Sequence, residues 1–260
     1  MKVSIIIPAY NEEKRIGSTL PSLSVYLEDL RKKEKIDYKI LVVINATTDK
    51  TEEVVKKNQK KNKRIQFLNL KRGGKGFAVK EGFKSALSAN SDLIGFIDAD
   101  LATPPEALSP LLHNIGRYDG IIANRYDKKS KIIPRFTFRR IIVAKVFNLL
   151  VRSLFFIPYK DTQCGAKFFK REAADYIVNN VKMSQWAFDV ELLYALRKKG
   201  FKVKEEATIW RDVGGSKINL KKSTVQMFLA VLQLRIVNSP LKRILRPFKF
   251  VIGLLWRMIR

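Results

Sequence analysis

Short apolar runs alternate with amphipathic segments along the first half of the chain. Residues 3–7 and 93–97 are rich in branched side chains and are short enough to be strands that are buried on both faces. Residues 12–30 and 75–89 place their apolar side chains at helical spacing. The full pattern predicts strands at 3–7, 39–44, 65–69, 93–97 and 120–123, and helices at 12–30, 51–58, 75–89 and 105–114.

This order of strands and helices predicts an α/β fold with a mostly parallel sheet and helices on both faces. In such sheets, ligands bind beyond the carboxyl ends of the strands. Polar clusters follow three of the predicted strands, at residues 8–12, at Asn45 with Asp49, and at residues 98–100. The pattern therefore predicts a binding site at this edge of the sheet, whereas the charged segment 126–135 is expected to be a loop.

The composition narrows the classes of site that the chain can build. It has 260 residues, of which 46% are apolar, so a sizeable core is expected and wholesale disorder is excluded. Cys164 and His113 are the only residues of their types, which excludes an internal disulfide framework and metal sites built on cysteine or histidine pairs. Neither a signal peptide nor a spanning helix is expected, because no apolar run reaches about 18 residues.

The formal net charge is +27, and it is unevenly distributed. No acidic residue follows Asp212, whereas ten basic residues do, and the residues between them are largely apolar. Segments 139–157, 223–237 and 241–260 combine basic and apolar residues in a pattern typical of helices in the interface of an anionic membrane. Ser223 is expected to cap the second of these helices. Helices packed on the protein's own core, or a surface that binds nucleic acid, are the alternative explanations.

Two local sequences point to phosphate chemistry. Asp98 and Asp100 follow a predicted buried strand, and two carboxylates at this spacing suit a divalent cation that bridges phosphates. A cap for the following helix is the simpler alternative. Residues 72–76 read RGGKG before a predicted helix, where backbone N–H groups and Lys75 can approach a phosphate, and a flexible turn is the alternative. The chain has neither a P-loop nor a dinucleotide-binding fingerprint.

Six segments together carry a resemblance to a known family. In chain order they are SIIIPAYNEE, DADLATPPE, ANRY, DTQCGAKFF, WAFDVELL and GGSK. As a set they resemble the family 2 inverting glycosyltransferases of the GT-A fold, and more narrowly the dolichyl-phosphate β-glucosyltransferases and the related dolichyl-phosphate mannose synthases. The resemblance implies a GT-A domain over residues 1–220, including an interface helix at 139–157. Residues 221–260 are then expected to form basic amphipathic helices that associate with a membrane.

The resemblance also implies a role for each matching residue. The nucleotide-sugar pocket would contain Pro8, Tyr10, Glu12, Asn45, Lys75, Asp98, Ala99 and Asp100. Asp100 would hold Mg²⁺ or Mn²⁺ on the diphosphate. Contacts with the acceptor phosphate or its lipid would come from Arg139, Arg140, Arg211, Ser216 and Lys217. The residues that would orient or support the sugar are Gln163, Trp186, Asp189 and Glu191. The residues expected to carry catalysis are Asp98, Asp100, Arg125 and Arg211.

Two positions depart from the family pattern. Where the family usually reads Asp-Asp-Gly-Ser, this chain has residues 44–47, which read Ile-Asn-Ala-Thr. The amide of Asn45 suits the single N–H donor of uracil better than the adjacent donors of guanine, so a UDP-sugar is favoured. Mannose synthases place a glutamine where this chain has Ala102, so a water molecule is expected to replace one metal ligand.

The expected activity is transfer of a hexose, glucose from UDP-glucose, to a dolichyl or other polyprenyl phosphate with inversion. GDP-mannose or another UDP-sugar is the alternative donor, and nucleic-acid binding is the alternative from a different class. Because the acceptor phosphate is already anionic, direct in-line displacement is expected without a catalytic base. The protein is expected to lie peripherally on the cytoplasmic face of a membrane, with no nucleic acid among its partners.

Overall fold

The computed structural model describes residues 1–134, 137–182, 187–213 and 220–238. Its strands, β1 to β9, are Lys2–Ala9, Asp37–Asn45, Ile65–Leu70, Leu93–Phe96, Gly120–Asn124, Lys131–Ile133, Lys167–Lys170, Val203–Ala207 and Ile209–Arg211. Its helices, α1 to α8, are Glu13–Glu34, Thr51–Lys61, Lys75–Ser88, Leu108–His113, Phe138–Phe155, Arg171–Asn180, Phe188–Lys199 and Leu220–Val237.

Seven of these strands form one sheet in the order β3-β2-β1-β4-β7-β5-β8. β1 pairs in parallel with β2 and β4, and β2 pairs in parallel with β3. β7 is antiparallel to its neighbours β4 and β5, whereas β8 pairs in parallel with β5. The expectation of a mostly parallel α/β sheet is confirmed, and β7 and β8 are the strands of this sheet that the apolar pattern did not predict.

Helices cover both faces of this sheet, so successive apolar residues of a central strand such as β1 are buried on opposite faces. In β1, Ile5 and Ile7 pack in one core cluster with Leu20 of α1, whereas Ile6 packs in the other with Phe83 of α3. Successive side chains of a strand point to opposite faces of the sheet. Residues 5–7 form an uninterrupted apolar run because neither face of β1 is exposed to water there.

The charged segment 126–135 is not wholly a loop, as the sequence suggested, because it contains β6. This short strand pairs in parallel with β9, with Ile133 opposite Arg211. The expectation was wrong because the partner strand lies far along the chain, and three residues are too few to show a period. The pairing brings β9 towards the main sheet, where the backbone N–H of Arg211 donates to the carbonyl of Ala102 at 2.7 Å.

Two helix boundaries also differ from expectation. The helix predicted at 105–114 is divided into a 3₁₀ turn at Pro105–Ala107 and the short α4. α8 begins at Leu220, so Ser223 lies inside the helix and the expectation that it caps the helix is wrong. A cap residue is predicted from its position just before an apolar run. Because the polar residues 221–222 already belong to the helix, the apolar run begins after the helix does, and the predicted start is too late.

α5 divides its apolar residues between the core and the surface. Val151 and Phe155 are buried in the same core cluster as Phe83. Val146 and Leu149 are 62% and 65% exposed. Packing on the core, which the sequence left as an alternative for this segment, therefore accounts for only one face of the helix.

α8 packs beside α5 and shares its core cluster. Ala230, Val231 and Leu234 are buried there, whereas Phe228 is 41% exposed. None of the helices within the described ranges is both long enough and apolar enough to cross a membrane. The amphipathic helix expected at residues 241–260 lies outside the described residues, so the division of the chain at residue 220 stays a prediction.

Candidate active site

The carboxyl ends of β1, β2 and β4 lie side by side at one edge of the sheet. These strands are parallel neighbours that end at Ala9, Asn45 and Phe96. Thr19 of α1 donates a hydrogen bond to the carbonyl of Ala99 at 2.6 Å, which ties the segment after β4 to the helix after β1. The polar clusters that follow these strands therefore lie at one edge, as the sequence predicted. We call this edge the donor edge, after the nucleotide-sugar donor that the sequence analysis predicts there.

Asp98 is the centre of the charged contacts at the donor edge. Its carboxylate lies 2.6 Å from Lys75 Nζ in the first turn of α3, and the two side chains are 38% and 35% exposed, respectively. Burial raises the pKa of this carboxyl group, but the positive charges of Lys75, Lys167 and Arg125 outweigh burial and hold the pKa of Asp98 below its usual value. Asp98 is therefore ionised at neutral pH and paired with a lysine.

Gly165, in the turn before β7, makes room for Asp98. A Cβ atom built at Gly165 would overlap the carboxylate of Asp98, so this carboxylate lies directly against the backbone of the turn. Any residue other than glycine must displace Asp98. The glycine of the DTQCG segment is thus explained by a close approach between backbone and side chain.

Asp100 has a different electrostatic environment from Asp98. One of its oxygens accepts a hydrogen bond from the backbone N–H of Ala102 at 3.0 Å. Burial raises the pKa of Asp100 above its usual value, and the negative charge of Asp98 raises it further. A bound cation would relieve both effects, so this carboxylate is suited to hold one.

The surroundings of Asp100 limit the kind of metal site that it can form. Across the described ranges, no cluster of three or more His, Cys, Asp and Glu side chains is able to hold a metal ion. A hard divalent cation at Asp100 would therefore take its remaining oxygen ligands from water or from a bound phosphate. The carboxylate of Asp100 fits Mg²⁺ or Mn²⁺ carried on a diphosphate.

Asn45 uses its amide within the protein. The residue is 3% exposed, its Nδ2 donates to the carbonyl of Ala9 at 2.9 Å, and its Oδ1 accepts from the backbone N–H of Gly74 at 3.0 Å. Asn45 thereby joins the end of β1 to the glycine-rich turn 72–76 that precedes α3. Its contact with a nucleotide base stays a prediction, whereas its support of this turn is observed.

The end of β1 presents the other predicted donor residues. Pro8 is half-buried, and Tyr10 is 58% exposed. The side chain of Glu12 is 14% exposed and lies 2.6 Å from Arg15 Nε. The donor edge therefore offers an exposed aromatic ring beside a largely buried ion pair, and their contacts with a donor stay predictions.

Arg125 and Asp161 form a buried ion pair beside the donor edge. The Asp161 side chain is fully buried and accepts from Arg125 Nε at 2.8 Å, from Nη2 at 2.9 Å and from the backbone N–H at 2.9 Å. Burial raises the pKa of Asp161, but the charge of Arg125 outweighs it and the pKa lies below its usual value. The carboxylate accepts from two of the five guanidinium N–H donors, and contact of Arg125 with a substrate anion stays a prediction.

We expect Arg125→Met to destabilise the protein by about 3–5 kcal/mol, because it leaves the Asp161 carboxylate buried without its partner. Urea denaturation at pH 7 measures this loss. Because the pKa of Asp161 is lowered by folding, the ion pair stabilises the protein above about pH 4, and this contribution is lost as the pH falls through the lowered value. The difference between the two proteins should therefore shrink in acid.

Arg64→Met is the matched control for this prediction. Arg64 pairs with Asp37 at the surface, where the two side chains are 34% and 53% exposed. Removal of this pair should change the free energy of unfolding by no more than about 1 kcal/mol. A loss from Arg125→Met as small as that of the control would contradict the assigned burial of the pair.

Arg211, at the end of β9, lies beside the segment that follows Asp100. Its Nη2 donates to Glu106 Oε1 at 2.7 Å, and the two side chains are 51% and 42% exposed, respectively. With the backbone contact to Ala102 described above, this pair places Arg211 close to the donor edge. Its contact with a substrate phosphate stays a prediction.

Lys167, at the start of β7, is a residue of this region that the sequence analysis did not identify. It is fully buried, and its Nζ donates to Asp189 Oδ1 of α7 at 2.5 Å. A buried ammonium needs a partner, and Asp189 is that partner. The available signal was a lysine inside the apolar run AKFF, where a strand covered on both faces leaves no place for a solvated charge.

Glu191 and Gln163, two residues expected beside the sugar, make hydrogen bonds within the protein. Glu191 is 8% exposed and accepts from the backbone N–H of Lys182 at 3.1 Å. The backbone N–H of Gln163 donates to Asp161 at 3.2 Å, while its buried Nε2 has no hydrogen-bond partner in the part of the chain that is described. Their contacts with a sugar stay predictions.

The remaining predicted residues fall where the structure gives no side chain. Trp186, Ser216 and Lys217 lie outside the described residues. For Arg139 and Arg140, only their place in α5 is described. Their roles stay predictions.

A protein-family model described as Glycosyl transferase family 2 matches residues 4–178. The match runs from β1 into α6 and includes the whole donor edge. The chain belongs to glycosyl transferase family 2. This membership confirms that the protein is an enzyme, a glycosyltransferase.

Curated relatives of this family 2 glycosyltransferase share a name. The dolichyl-phosphate β-glucosyltransferase of Dictyostelium discoideum is 33% identical over 243 residues, which are 90% of this chain and 73% of the relative. The protein of the same name from Drosophila melanogaster is 34% identical and is matched over 87% of this chain and 72% of its own length. The human protein of this name is 32% identical and is matched over 90% of this chain and 75% of its own length. The predicted family resemblance is thereby confirmed.

Solved structures of more distant proteins share the fold of this family 2 enzyme. Glucosyl-3-phosphoglycerate synthase from Mycobacterium tuberculosis in complex with UDP aligns with a TM-score of 0.64 at 18% identity, over 92% of this chain and 82% of that chain. The mannosyltransferase PcManGT from Pyrobaculum calidifontis, in complex with GDP-Man and Mn²⁺, aligns with a TM-score of 0.64 at 15% identity, over 94% and 68%. These alignments confirm a GT-A-like α/β fold.

Proposed function

We propose that this enzyme transfers glucose from UDP-glucose to a dolichyl or other polyprenyl phosphate, with inversion at the anomeric carbon. The observation that carries the proposal is the match of 90% of the chain to proteins named dolichyl-phosphate β-glucosyltransferase. The geometry supports it, because carboxylates, a lysine and two arginines lie at or beside the carboxyl ends of parallel strands, where anionic ligands bind in such sheets.

Donor binding is assigned to the donor edge. Asp100 would hold a divalent cation, and this ion would supply positive charge to stabilise the departing diphosphate. Asp98, held in place by Lys75, faces the ribose or the sugar. Tyr10 lies exposed at the same edge, and Asn45 supports the glycine-rich turn by accepting a hydrogen bond from the backbone N–H of Gly74.

Acceptor binding is assigned to the cations beside this edge. Arg125 is oriented by Asp161 and is assigned to the acceptor phosphate. Arg211 adds a second guanidinium beside the segment after Asp100. The proposal extends to Arg139, Arg140, Ser216 and Lys217, on the basis of sequence alone.

The transfer needs no strong base. A phosphate monoester has a second pKa of about 6, so the acceptor is largely dianionic near neutral pH. One of its oxygens attacks the anomeric carbon while the bond from that carbon to the diphosphate oxygen breaks, and the protein positions the two anions and balances their charge. Asp189 is engaged by Lys167, which agrees with a role in orienting sugar hydroxyls and not in taking a proton.

The test of this function is transfer of label into lipid. Purified protein is incubated with dolichyl phosphate, Mg²⁺ or Mn²⁺, and labelled UDP-glucose, GDP-mannose or UDP-N-acetylglucosamine in parallel. We expect label in the lipid phase from UDP-glucose, and only when the metal is present. Faster transfer from another donor would replace the proposed donor, and no transfer from any of them would reject the function.

We further propose that the protein lies peripherally on the cytoplasmic face of a membrane and uses the outer face of α5. Large apolar side chains on this face are exposed, and the basic residues Lys145 and Arg152 are exposed beside them. The exposed apolar residues of α5 are Phe138, Ile142, Val143, Val146 and Leu149. An apolar helix face flanked by cations suits an interface with anionic lipid headgroups, as the cytoplasmic leaflet provides.

We expect the double variant Val146→Glu and Leu149→Glu to bind vesicles at least about tenfold more weakly, because it places two carboxylates on the face that meets the lipid. Sedimentation with vesicles of phosphatidylserine and phosphatidylcholine measures binding. Val25→Glu, at a position of α1 that is 73% exposed, is the matched control and should bind as the wild type does. Equal loss in both proteins would show that charge alone, and not this face, governs binding.

A further inference from the structure

Lys167 is a fully buried lysine to which the proposed mechanism gives no role beyond its contact with Asp189. In the sheet it lies opposite Phe96 of β4 on one side and Ile122 of β5 on the other. An ammonium group in the middle of a sheet is costly unless it is paired and hydrogen-bonded. An apolar side chain would fill the same space at lower cost, so the presence of lysine calls for a reason beyond packing.

The ammonium of Lys167 connects two separate parts of the chain. Its Nζ donates to Asp189 Oδ1, in the first turn of α7, at 2.5 Å. It also donates to the carbonyl of Cys164 at 2.5 Å, and it lies 5.3 Å from the centroid of the Phe96 ring. Lys167 thus joins the start of α7 to the turn that precedes β7.

This turn is the surface on which Asp98 lies. Cys164, whose carbonyl Lys167 holds, is followed directly by Gly165, whose backbone is in contact with the Asp98 carboxylate. The turn therefore lies between the buried ammonium and the carboxylate of the donor edge. A shift of the Cys164 carbonyl would move the backbone against which Asp98 packs.

The charges also form a graded series from the core to the donor edge. Lys167 is fully buried, Asp189 is 13% exposed, and Lys75 and Asp98 are 35% and 38% exposed. Opposite signs are in contact at both ends of the series, at 2.5 Å for the inner pair and 2.6 Å for the outer pair. Lys167 is fully buried and cannot contact a substrate, so any effect of Lys167 on donor binding must act through the residues that it contacts.

We propose that Lys167 is a positioning residue of the donor site: its ammonium holds the turn at Cys164–Gly165 and Asp189 in the arrangement that presents Asp98 to the donor. The inference rests on the proposed function, because it takes the donor nucleotide to bind at the donor edge. It predicts that removal of the ammonium weakens nucleotide binding even when the lost stability is restored.

The test compares nucleotide affinity and stability in four full-length proteins. They are the wild type, Lys167→Met, the double variant Lys167→Met with Asp189→Leu, and Lys204→Met. UDP is titrated calorimetrically in the presence of Mn²⁺, and Tm is measured for each protein. UDP lacks the sugar, so the proposed contact of Asp189 with sugar hydroxyls does not affect this readout. Lys204 pairs with Glu206 at 2.8 Å in β8, the edge strand farthest from β3, and serves as the matched control.

We expect Lys167→Met to lower both Tm and UDP affinity, the latter at least tenfold, because Asp189, whose side chain is 13% exposed, loses its ion-pair partner and the turn is released. The double variant leaves no unpaired buried charge, so it should recover most of the lost Tm while its UDP affinity stays at least tenfold low. Lys204→Met should bind UDP as the wild type does.

Recovery of UDP affinity together with Tm in the double variant would overturn the inference, since the pair would then be structural only. Unchanged affinity in Lys167→Met would overturn it as well. If Lys167→Met does not fold, the double variant decides by the same comparison with the wild type. Failure of the wild type itself to bind UDP would reject the proposed donor and this inference with it, an outcome that is distinct from the others.

Discussion

Asp100→Asn is expected to slow transfer by about 1,000-fold while the protein becomes no less stable to heat. The loss corresponds to about 4 kcal/mol of transition-state stabilisation, the size of effect expected when a ligand of a catalytic cation is replaced by a neutral amide. Transfer of labelled glucose to dolichyl phosphate, measured at saturating donor and acceptor, tests the rate. Asp175→Asn, at an exposed position of α6, is the control and should transfer at the wild-type rate.

The stability half of this prediction follows from the surroundings of Asp100. Burial and the charge of Asp98 both raise its pKa, so the ionised carboxylate destabilises the folded protein at neutral pH. A neutral amide removes this repulsion, and Tm should stay equal or rise. The gain is present at pH 7, shrinks as the pH falls through the raised pKa of the folded protein, and should disappear below about pH 4, where Asp100 becomes protonated in the unfolded protein as well.

Asp98→Asn is expected to have the opposite effect on thermal stability and serves as a comparison. The pKa of Asp98 is lowered, because the charge of Lys75 outweighs burial, so its ionised form stabilises the fold at neutral pH. Asp98→Asn should therefore lower Tm where Asp100→Asn does not. An equal fall in Tm for both variants would contradict the two environments assigned here, and full activity in Asp100→Asn would remove Asp100 from the metal site.

Gly165→Ala is expected to reduce transfer by at least about 100-fold, although it adds a single methyl group. That methyl would occupy the space of the Asp98 carboxylate, which must then leave its place against the turn and weaken its contact with Lys75. Displacement of a positioned group by about 1 Å is enough for a loss of this size. The steady-state rate of transfer tests the effect, and the free energy of unfolding is expected to fall by only about 1–3 kcal/mol.

Gly17→Ala is the matched control for this variant. Gly17 lies within α1, and a Cβ there would meet Val54 Cγ1 at 3.4 Å, an ordinary van der Waals contact. Alanine in a helix should leave transfer unchanged and raise stability by up to about 1 kcal/mol. If Gly165→Ala transfers glucose as fast as Gly17→Ala, the position of Asp98 is not required for catalysis.

The predicted elements of the first half of the chain agree closely with the structure because their signals are local. The strand expected at 3–7 is β1, and the helix expected at 75–89 is α3. Both patterns follow from burial. Buried positions recur every 3.6 residues in a helix and every two residues in a half-buried strand, whereas a central strand is buried at every position. The residues at the strand ends were also foreseen, because parallel strands bring their carboxyl ends to one edge.

β6 and β7 were missed for a physical reason that they share. β7 covers Lys167–Lys170, and its two lysines and two phenylalanines show neither a period of two nor a fully apolar run. It is a strand because it fits, antiparallel, between β4 and β5. β6 is a strand because β9 lies beside it. Pairing partners distant in the chain, and not local propensity, determine such short strands.

The sequence by itself determined the order of the principal strands and helices, the edge at which Asp98 and Asp100 lie, and the family to which the chain belongs. Only the tertiary structure decided which charges meet. The pairs Arg125–Asp161 and Lys167–Asp189 join residues that are 36 and 22 positions apart, and both depend on where β7 enters the sheet. A local pattern reports whether a residue is buried, but the partner of a buried charge is set by the strand order, which brings distant segments together.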